Sequence, residues 1–460
     1  MSSRPDIAPG ATRAISAEAA RLSREDERRS GDRMRVIRAR RGGSRWRLAW
    51  LLVGPGVLVM LGENDGPSML SYAATGATYG VGFFIPFILL TFAAAIVVQE
   101  MTVRVGAITH RGYGELVFQR YGNFWGWVSV ADLVVTNVVT LITEFIAIRV
   151  GMAYFGIRPE FAVLMGVALV GASTAGGRYW RWERAALGLA VFNMLFVAAA
   201  LLSHPAYGEL GRALLTWSPL PGGRVQVFLL IVASNVGATV TPWMIFFQQS
   251  AVVDKGVTPK DIGHSRFDVV LGAALAAVAG CAALVITAVL FQHHARLVTG
   301  AGGADYASAL RGVLGPVVPA LFSLGLVEAG ALACLTISTA TAYSVGEAIG
   351  GAHSFNRRFR EAPAFYGVII GVAAIAGLIV LLPGAPLLSI TLNANLLATI
   401  LMPAALTFLV LLANDRQMLG GRVNGWRFNI AAGLVMALVV LAGASSTVVT
   451  FISTITGKTL

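Results

Sequence analysis

The sequence predicts an all-α membrane protein of eleven transmembrane helices, built as two inverted five-helix repeats with one further helix after them. Three observations carry that expectation. The 460 residues are 56% hydrophobic and 13% charged, against roughly 25% charged in a soluble domain. The apolar residues fall into runs of about the 20 that a helix needs to cross hydrocarbon. Two of those runs are broken at mid-depth by Gly, Pro and polar residues, and the broken runs lie five spans apart. Lipid cannot satisfy an open backbone, so helices are the expected spanning elements.

Residues 1–47 come first and carry thirteen Arg with no apolar stretch. They lack the hydrophobic content for a core and read as a disordered cytoplasmic tail, not a secretory signal. The spans follow at 48–75 (interrupted), 82–103, 123–148, 160–175 and 185–203, which form the first repeat (48–203). Those at 225–250 (interrupted), 267–291, 316–348, 364–382 and 386–412 form the second (225–412), and 427–451 is the last. Tyr121, Phe124, Trp125 and Trp127 read as an interfacial aromatic belt.

With the N-terminus in the cytoplasm, the five inner loops hold fifteen Lys/Arg. The outer segments hold seven: Arg149, Arg158, Arg212, Arg224, Arg296, Arg311 and Lys458. This bias toward the inside supports both the span count and an outer C-terminus. The net charge of +12 is spread over span ends and forms no continuous face. An anionic leaflet explains it, and nucleic acid is excluded as a partner. Cys281 and Cys334 each sit in an apolar run and read as small buried hydrophobes. His110, His293 and His294 fall in loops without metal-ligand spacing.

The two breaks are the most informative features. In span one an apolar run meets Gly62-Glu63-Asn64-Asp65-Gly66-Pro67-Ser68. Carboxylates at that depth are costly unless they line water or bind a partner, and Pro removes a backbone donor and unwinds the helix. In span six the run is Asn235-Val236-Gly237-Ala238-Thr239-Val240-Thr241-Pro242-Trp243. Spans five apart run in opposite directions, so these are corresponding positions of inverted repeats. Paired broken helices of that kind mark a transporter's substrate site.

These residues resemble the Nramp family of divalent-metal transporters, most closely its magnesium-transporting relatives. The resemblance runs over spans one to ten. Gly54-Pro55-Gly56 and then Gly62-Glu-Asn-Asp65 resemble the opening of the family's helix one, which continues Asp-Pro-Gly-Asn. Gly237-Ala-Thr-Val-Thr-Pro-Trp243 resembles its helix-six signature Gly-Ala-Thr-Val-Met-Pro-His. Met402-Pro403 followed by Asn414-Asp415-Arg416 resembles helix ten, and Thr143-Glu144-Phe145 part of helix three. The resemblance implies a leucine-transporter-like fold in a bacterial plasma membrane. It implies a metal site of Asp65, Ser68, the Ala238 carbonyl, Thr241 and Asn395, with Glu63 beside it and Glu144, Trp243 and Asn64 along the pathway. The metal is cargo, and no cofactor is expected.

Four departures shape the expected chemistry. Ser68 replaces an Asn, Thr241 a Met, Trp243 a His, and Leu141 a helix-three Asp. A thioether favours softer metals, whereas an all-oxygen set suits Mg²⁺, Mn²⁺ or Ca²⁺. Without the His and the Asp, uncoupled, potential-driven transport is expected; the alternatives are proton-coupled Mn²⁺ or a trivalent ion. Glu144 is expected to line water or pair with an Arg. Asp132, about 18 Å from it along the helix, is expected to be held in a structural pair. A carrier of organic anions on the same architecture is disfavoured, because Asp65 and Glu63 would repel a carboxylate. An intramembrane enzyme lacks a nucleophile–base pair. A non-transporting metal sensor remains a third alternative.

Overall fold

The computed structural model describes residues 38, 51, 53–174, 178–218, 222, 224–293, 303–385 and 387–456. The Arg-rich tail, His294, Arg296 and Lys458 therefore lie outside the described residues, apart from Arg38. Every regular element among those described is helical. In chain order they are α1 (Pro55–Gly62), α2 (Gly66–Tyr79), α3 (Phe84–Thr109), α4 (Tyr113–Ala153), α5 (Pro159–Ser173), α6 (Tyr179–Ala190), α7 (Leu195–Leu202), α8 (Tyr207–Thr216), α9 (Val225–Gly237), α10 (Pro242–Lys255), α11 (Ile262–Gln292), α12 (Gly303–Leu314), α13 (Val317–Ala348), α14 (Pro363–Leu381), α15 (Leu387–Ala413), α16 (Arg416–Leu419) and α17 (Trp426–Thr456).

Nine helical segments among the described residues are long and apolar enough to cross a membrane. They coincide with spans two, three and five to eleven. The other two expected spans are the broken pair α1/α2 and the 15-residue apolar α5. Large apolar side chains point outward along them, among them Leu378, Leu434 and Leu441, each more than 60% exposed. A soluble protein rarely exposes so much contiguous apolar surface; hydrocarbon is its natural solvent.

Three features were absent from the sequence reading. The third span begins earlier than expected, because α4 starts at Tyr113 and passes through a kink at Gly122 (φ 85°). The fifth tightens into a 3₁₀ turn at Val191–Met194, between α6 and α7. Short helices α8 and α12 occupy connections that read as loops. Phe124, Trp125 and Trp127 are exposed just past the Gly122 kink, in keeping with the expected aromatic belt.

Helices that are apolar all round have no polar face to orient them, so small residues and buried polar side chains set the packing. The most extensive helix pair is α4 against α13. There a Cβ on Gly330 would meet the Glu144 carbonyl oxygen at 2.7 Å, and one on Gly151 would meet that of Ser323 at 2.5 Å. Asn137 of α4 donates to Thr341 of α13 at 2.9 Å. Helix α11 packs along α1, α2 and α3. The first broken helix is thus enclosed by α4, α11 and α13, whereas in the second α9 packs on α15 and α17 and α10 on α3, α4 and α13.

Candidate metal site at the paired helix breaks

Helix α1 ends at Gly62 with Glu63 as its C-cap, the chain turns extended at Asp65, and α2 starts again with Asp65 as its N-cap. The Asp65 carboxylate accepts the Ser68 N–H at 2.9 Å, the normal N-cap bond. Glu144, from α4, accepts the Gly66 N–H at 2.8 Å. Both carboxylates therefore sit at the positive end of the α2 dipole, each with a backbone N–H as partner. This explains how acids persist at that depth.

The order Gly66-Pro67 matters here. The family's Pro-Gly order would put at 66 a residue with no N–H, and Glu144 would lose its donor. Gly66 also permits a close approach, since a Cβ there would lie 2.4 Å from Ala147 Cβ. Gly66→Ala is accordingly expected to lower stability by about 1–3 kcal/mol, read as a fall in the thermal midpoint. An unchanged midpoint would show that α2 and α4 can separate freely.

The second break runs from the end of α9 at Gly237 to Thr241, the extended N-cap residue of α10. Thr241 makes no cap bond; its hydroxyl donates to Glu63 Oε1 across the two breaks. The Ala238 carbonyl, released from helical pairing, accepts from the Tyr72 hydroxyl of α2 at 3.2 Å. Asn395 brings its backbone against Gly237, where a Cβ would lie 2.0 Å from the Asn395 carbonyl oxygen. Trp243 is fully buried and covers the end of α1, 3.1 Å from where a Gly62 Cβ would be.

The breaks therefore bring Glu63 to Thr241, Asp65 to Ser68 and to Gly66 beside Glu144, and Tyr72 to Ala238. Asp65, Thr241 and Asn395 are 1%, 4% and 5% exposed, so the site is closed to both faces. Buried oxygens without a hydrogen-bond partner among the described residues include Glu63 Oε2, Asn64 Oδ1, Ser68 Oγ and Glu144 Oε1. Buried oxygens left without a donor are chemically able to accept a cation or water.

Asn64 behaves differently. Its amide turns into the scaffold and donates to Asn193 Oδ1 and the Ala276 carbonyl, both at 2.9 Å. Asn193 sits in the 3₁₀ turn and donates to Glu328 at 3.2 Å. This Asn64–Asn193–Glu328 chain was missed from sequence; an Asn alone in an apolar run was its only signal. Two expected pairings also need correction. Glu144 has no Arg partner among the described residues, because the α2 N-terminus takes that place. Asp132 Oδ2 has no partner among the described residues either.

The N-terminal end of α1 is clamped by long-range bonds. Asp268 of α11 accepts the N–H groups of Gly54, Gly56 and Val57 at 3.0, 2.7 and 3.3 Å. Lys255, in the last turn of α10, bonds both oxygens of Glu183 at 2.9 and 3.0 Å and the Val53 carbonyl at 3.0 Å. Nearby, Asp254 receives Tyr343, Ser354 and the Phe355 N–H. Between α2 and α9, Asn235 donates to Thr75 at 2.8 Å and Ser71 pairs with Ser234 at 2.8 Å.

The model of the family "Natural resistance-associated macrophage protein-like" (Nramp) matches residues 56–449. The chain belongs to the Nramp family. Membership makes it a transporter and not an enzyme. It is 26% identical over 355 residues to the divalent metal cation transporter MntH of Brucella suis, covering 74% of this chain and 75% of that one. It is 25% identical over 425 residues to the MntH of Ralstonia nicotianae, covering 86% and 90%. Among solved structures, the Eremococcus coleocola manganese transporter superposes with a TM-score of 0.68 at 18% identity, covering 88% of each chain. A Na⁺-coupled sialic acid symporter superposes at 0.55 with 12% identity, covering 94% of this chain and 97% of that one. At such identities the structural likeness speaks for the fold of this Nramp chain and not for its cargo.

Proposed function

We propose that this Nramp-family protein is a facilitator of hard divalent cations, Mg²⁺ foremost and Mn²⁺ besides, working by alternating access without proton coupling. The observation that carries the reading is the donor chemistry of the two breaks. Asp65, Ser68, the Ala238 carbonyl, Thr241, Asn395 and Glu63 offer oxygen and nothing softer. Thr241 stands where the family pattern has a thioether. Among the described residues, no three His, Cys, Asp or Glu gather at metal-ligand spacing. An ion held here would rely on one or two carboxylates, neutral oxygens and retained water, which suits Mg²⁺. The relatives named divalent metal cation transporters support a metal as cargo. Their bacterial origin supports a plasma membrane location, and the Lys/Arg bias of the loops supports an N-terminus inside. The repeats at 48–203 and 225–412 would rock their first two helices against spans three, four, eight and nine.

A second reading, proton-coupled Mn²⁺ transport, is favoured by Glu144, a scaffold carboxyl held at the same α2 N-terminus as Asp65.

Selectivity tests the proposal. In proteoliposomes the protein should admit Mg²⁺ and Mn²⁺ in preference to Cd²⁺. Thr241→Met should raise Cd²⁺ entry relative to Mg²⁺ about tenfold, the effect of roughly 1.4 kcal/mol. Preference for Cd²⁺ by the unaltered protein would remove the hard-cation assignment.

A further inference from the structure

Away from the breaks, at the same end as the Lys255–Glu183 clamp, a cleft of about 420 Å³ opens between the end of α3, the start of α11 and the start of α17. Its walls carry Arg104, Arg266 and Arg422, with Glu100 as their one carboxylate, together with Asn424 and Phe428. Glu100 bonds Arg104 Nη2 at 2.9 Å and Arg266 Nη2 at 2.6 Å. Arg104 is fixed as the floor: it also donates to the Arg422 carbonyl at 2.7 Å and to Asn424, and lies 5.4 Å from the Phe428 ring centre. Two guanidiniums thus share the Glu100 carboxylate while the third, Arg422, bonds only a backbone carbonyl, and the lining of the cleft keeps an excess of positive charge.

The rim is built differently from the floor. The Arg266 side chain is 55% exposed and uses Nε and Nη2 on Glu100. Arg422 is exposed and uses Nη1 on the Pro259 carbonyl at 3.1 Å. A guanidinium has five N–H donors, so each retains donors that face outward. Beside the cleft, Phe267, Ile430 and Leu434 are 58%, 53% and 67% exposed on the apolar flanks of α11 and α17. Trp426, at the start of α17, is 69% exposed, as an interfacial anchor would be. A basic cleft at the headgroup level with apolar strips running from it toward mid-membrane fits one ligand class.

We propose that this cleft binds the phosphate of an anionic phospholipid, whose acyl chains lie along α11 and α17. Basic pockets between membrane helices on the cytoplasmic side recognise such headgroups. The recognised chemistry is a phosphate anion; the exposed Phe267, Ile430 and Leu434 favour the lipid over a soluble phosphate. The site is independent of which cation the transporter carries.

The test uses the full chain in detergent, with phosphatidylglycerol, phosphatidylcholine or inorganic phosphate added and the thermal midpoint read from tryptophan fluorescence. Phosphatidylglycerol should raise the midpoint saturably, and the other two should not. Arg266→Gln with Arg422→Gln should weaken that effect about 30-fold, roughly fivefold for each arginine. An equal response to inorganic phosphate would overturn the lipid assignment, and so would an undiminished response in the double variant. Should the variant fail to fold, native mass spectrometry of the unaltered protein decides: retention of phosphatidylglycerol over phosphatidylcholine supports the site, and equal retention overturns it.

Discussion

Asp65→Asn should reduce cation uptake at least about 100-fold while leaving the protein folded. The amide still accepts the Ser68 N–H, so the N-cap of α2 survives. What disappears is the negative charge between the two breaks. Loss of one charged partner from a buried, hydrogen-bonded pair costs on the order of 2–5 kcal/mol, and 2.8 kcal/mol is about a hundredfold. Asp65→Ala should abolish uptake too, but with about 1 kcal/mol of added instability from the lost cap. Initial uptake rates in proteoliposomes, beside thermal midpoints in detergent, separate the two effects. Full uptake by Asp65→Asn would move the ion site elsewhere.

The second large effect concerns the Lys255–Glu183 clamp. Lys255→Met should destabilise the closed form by about 3–5 kcal/mol, because it leaves Glu183 charged and buried without its partner. The side chains are 1% and 0% exposed, so water cannot substitute. Combining Lys255→Met with Glu183→Leu should recover most of the loss, since an apolar pair can replace a buried ion pair at little cost. The same bond joins α10 to α6 and, through the Val53 carbonyl, to the start of α1. Cysteine labelling near Gly54 from the cytoplasmic side should therefore increase in the single variant. A double variant as unstable as the single one would show that Lys255 acts by packing over Trp180 and not by charge.

The breaks were legible in the sequence because their signals are local. Gly62-Glu-Asn-Asp-Gly-Pro and Gly237 to Pro242 contradict the apolar runs that hold them, and each break forms where those residues stand. The long apolar runs gave the helices for the same reason. What stayed hidden depends on partners distant in the chain. Asp268 looks like any acid near a span end, yet its function is to cap Gly54, 214 residues away. The Lys255–Glu183 pair, the Asn193 link to Glu328 and the place of Glu144 at the α2 N-terminus are equally non-local. Asp132 was read as one half of a pair because a buried acid normally needs one, and its Oδ2 has none among the described residues. The 3₁₀ turn at Val191–Met194 has no Pro or Gly to announce it. Its side-chain bonds join it to Asn64 in the first break and to Glu328 of α13.

The central claim is that the paired breaks pass a hard divalent cation down its electrical gradient. Its most direct test is Mg²⁺ entry into proteoliposomes at a set inside-negative potential, followed with a trapped indicator while a second dye reports internal pH. The account predicts entry that steepens with potential, driven by about 4.6 kcal/mol per 100 mV for a divalent ion, with no accompanying acidification. Absence of Mg²⁺ entry in vesicles holding folded protein would contradict it, as would entry that brings protons with it.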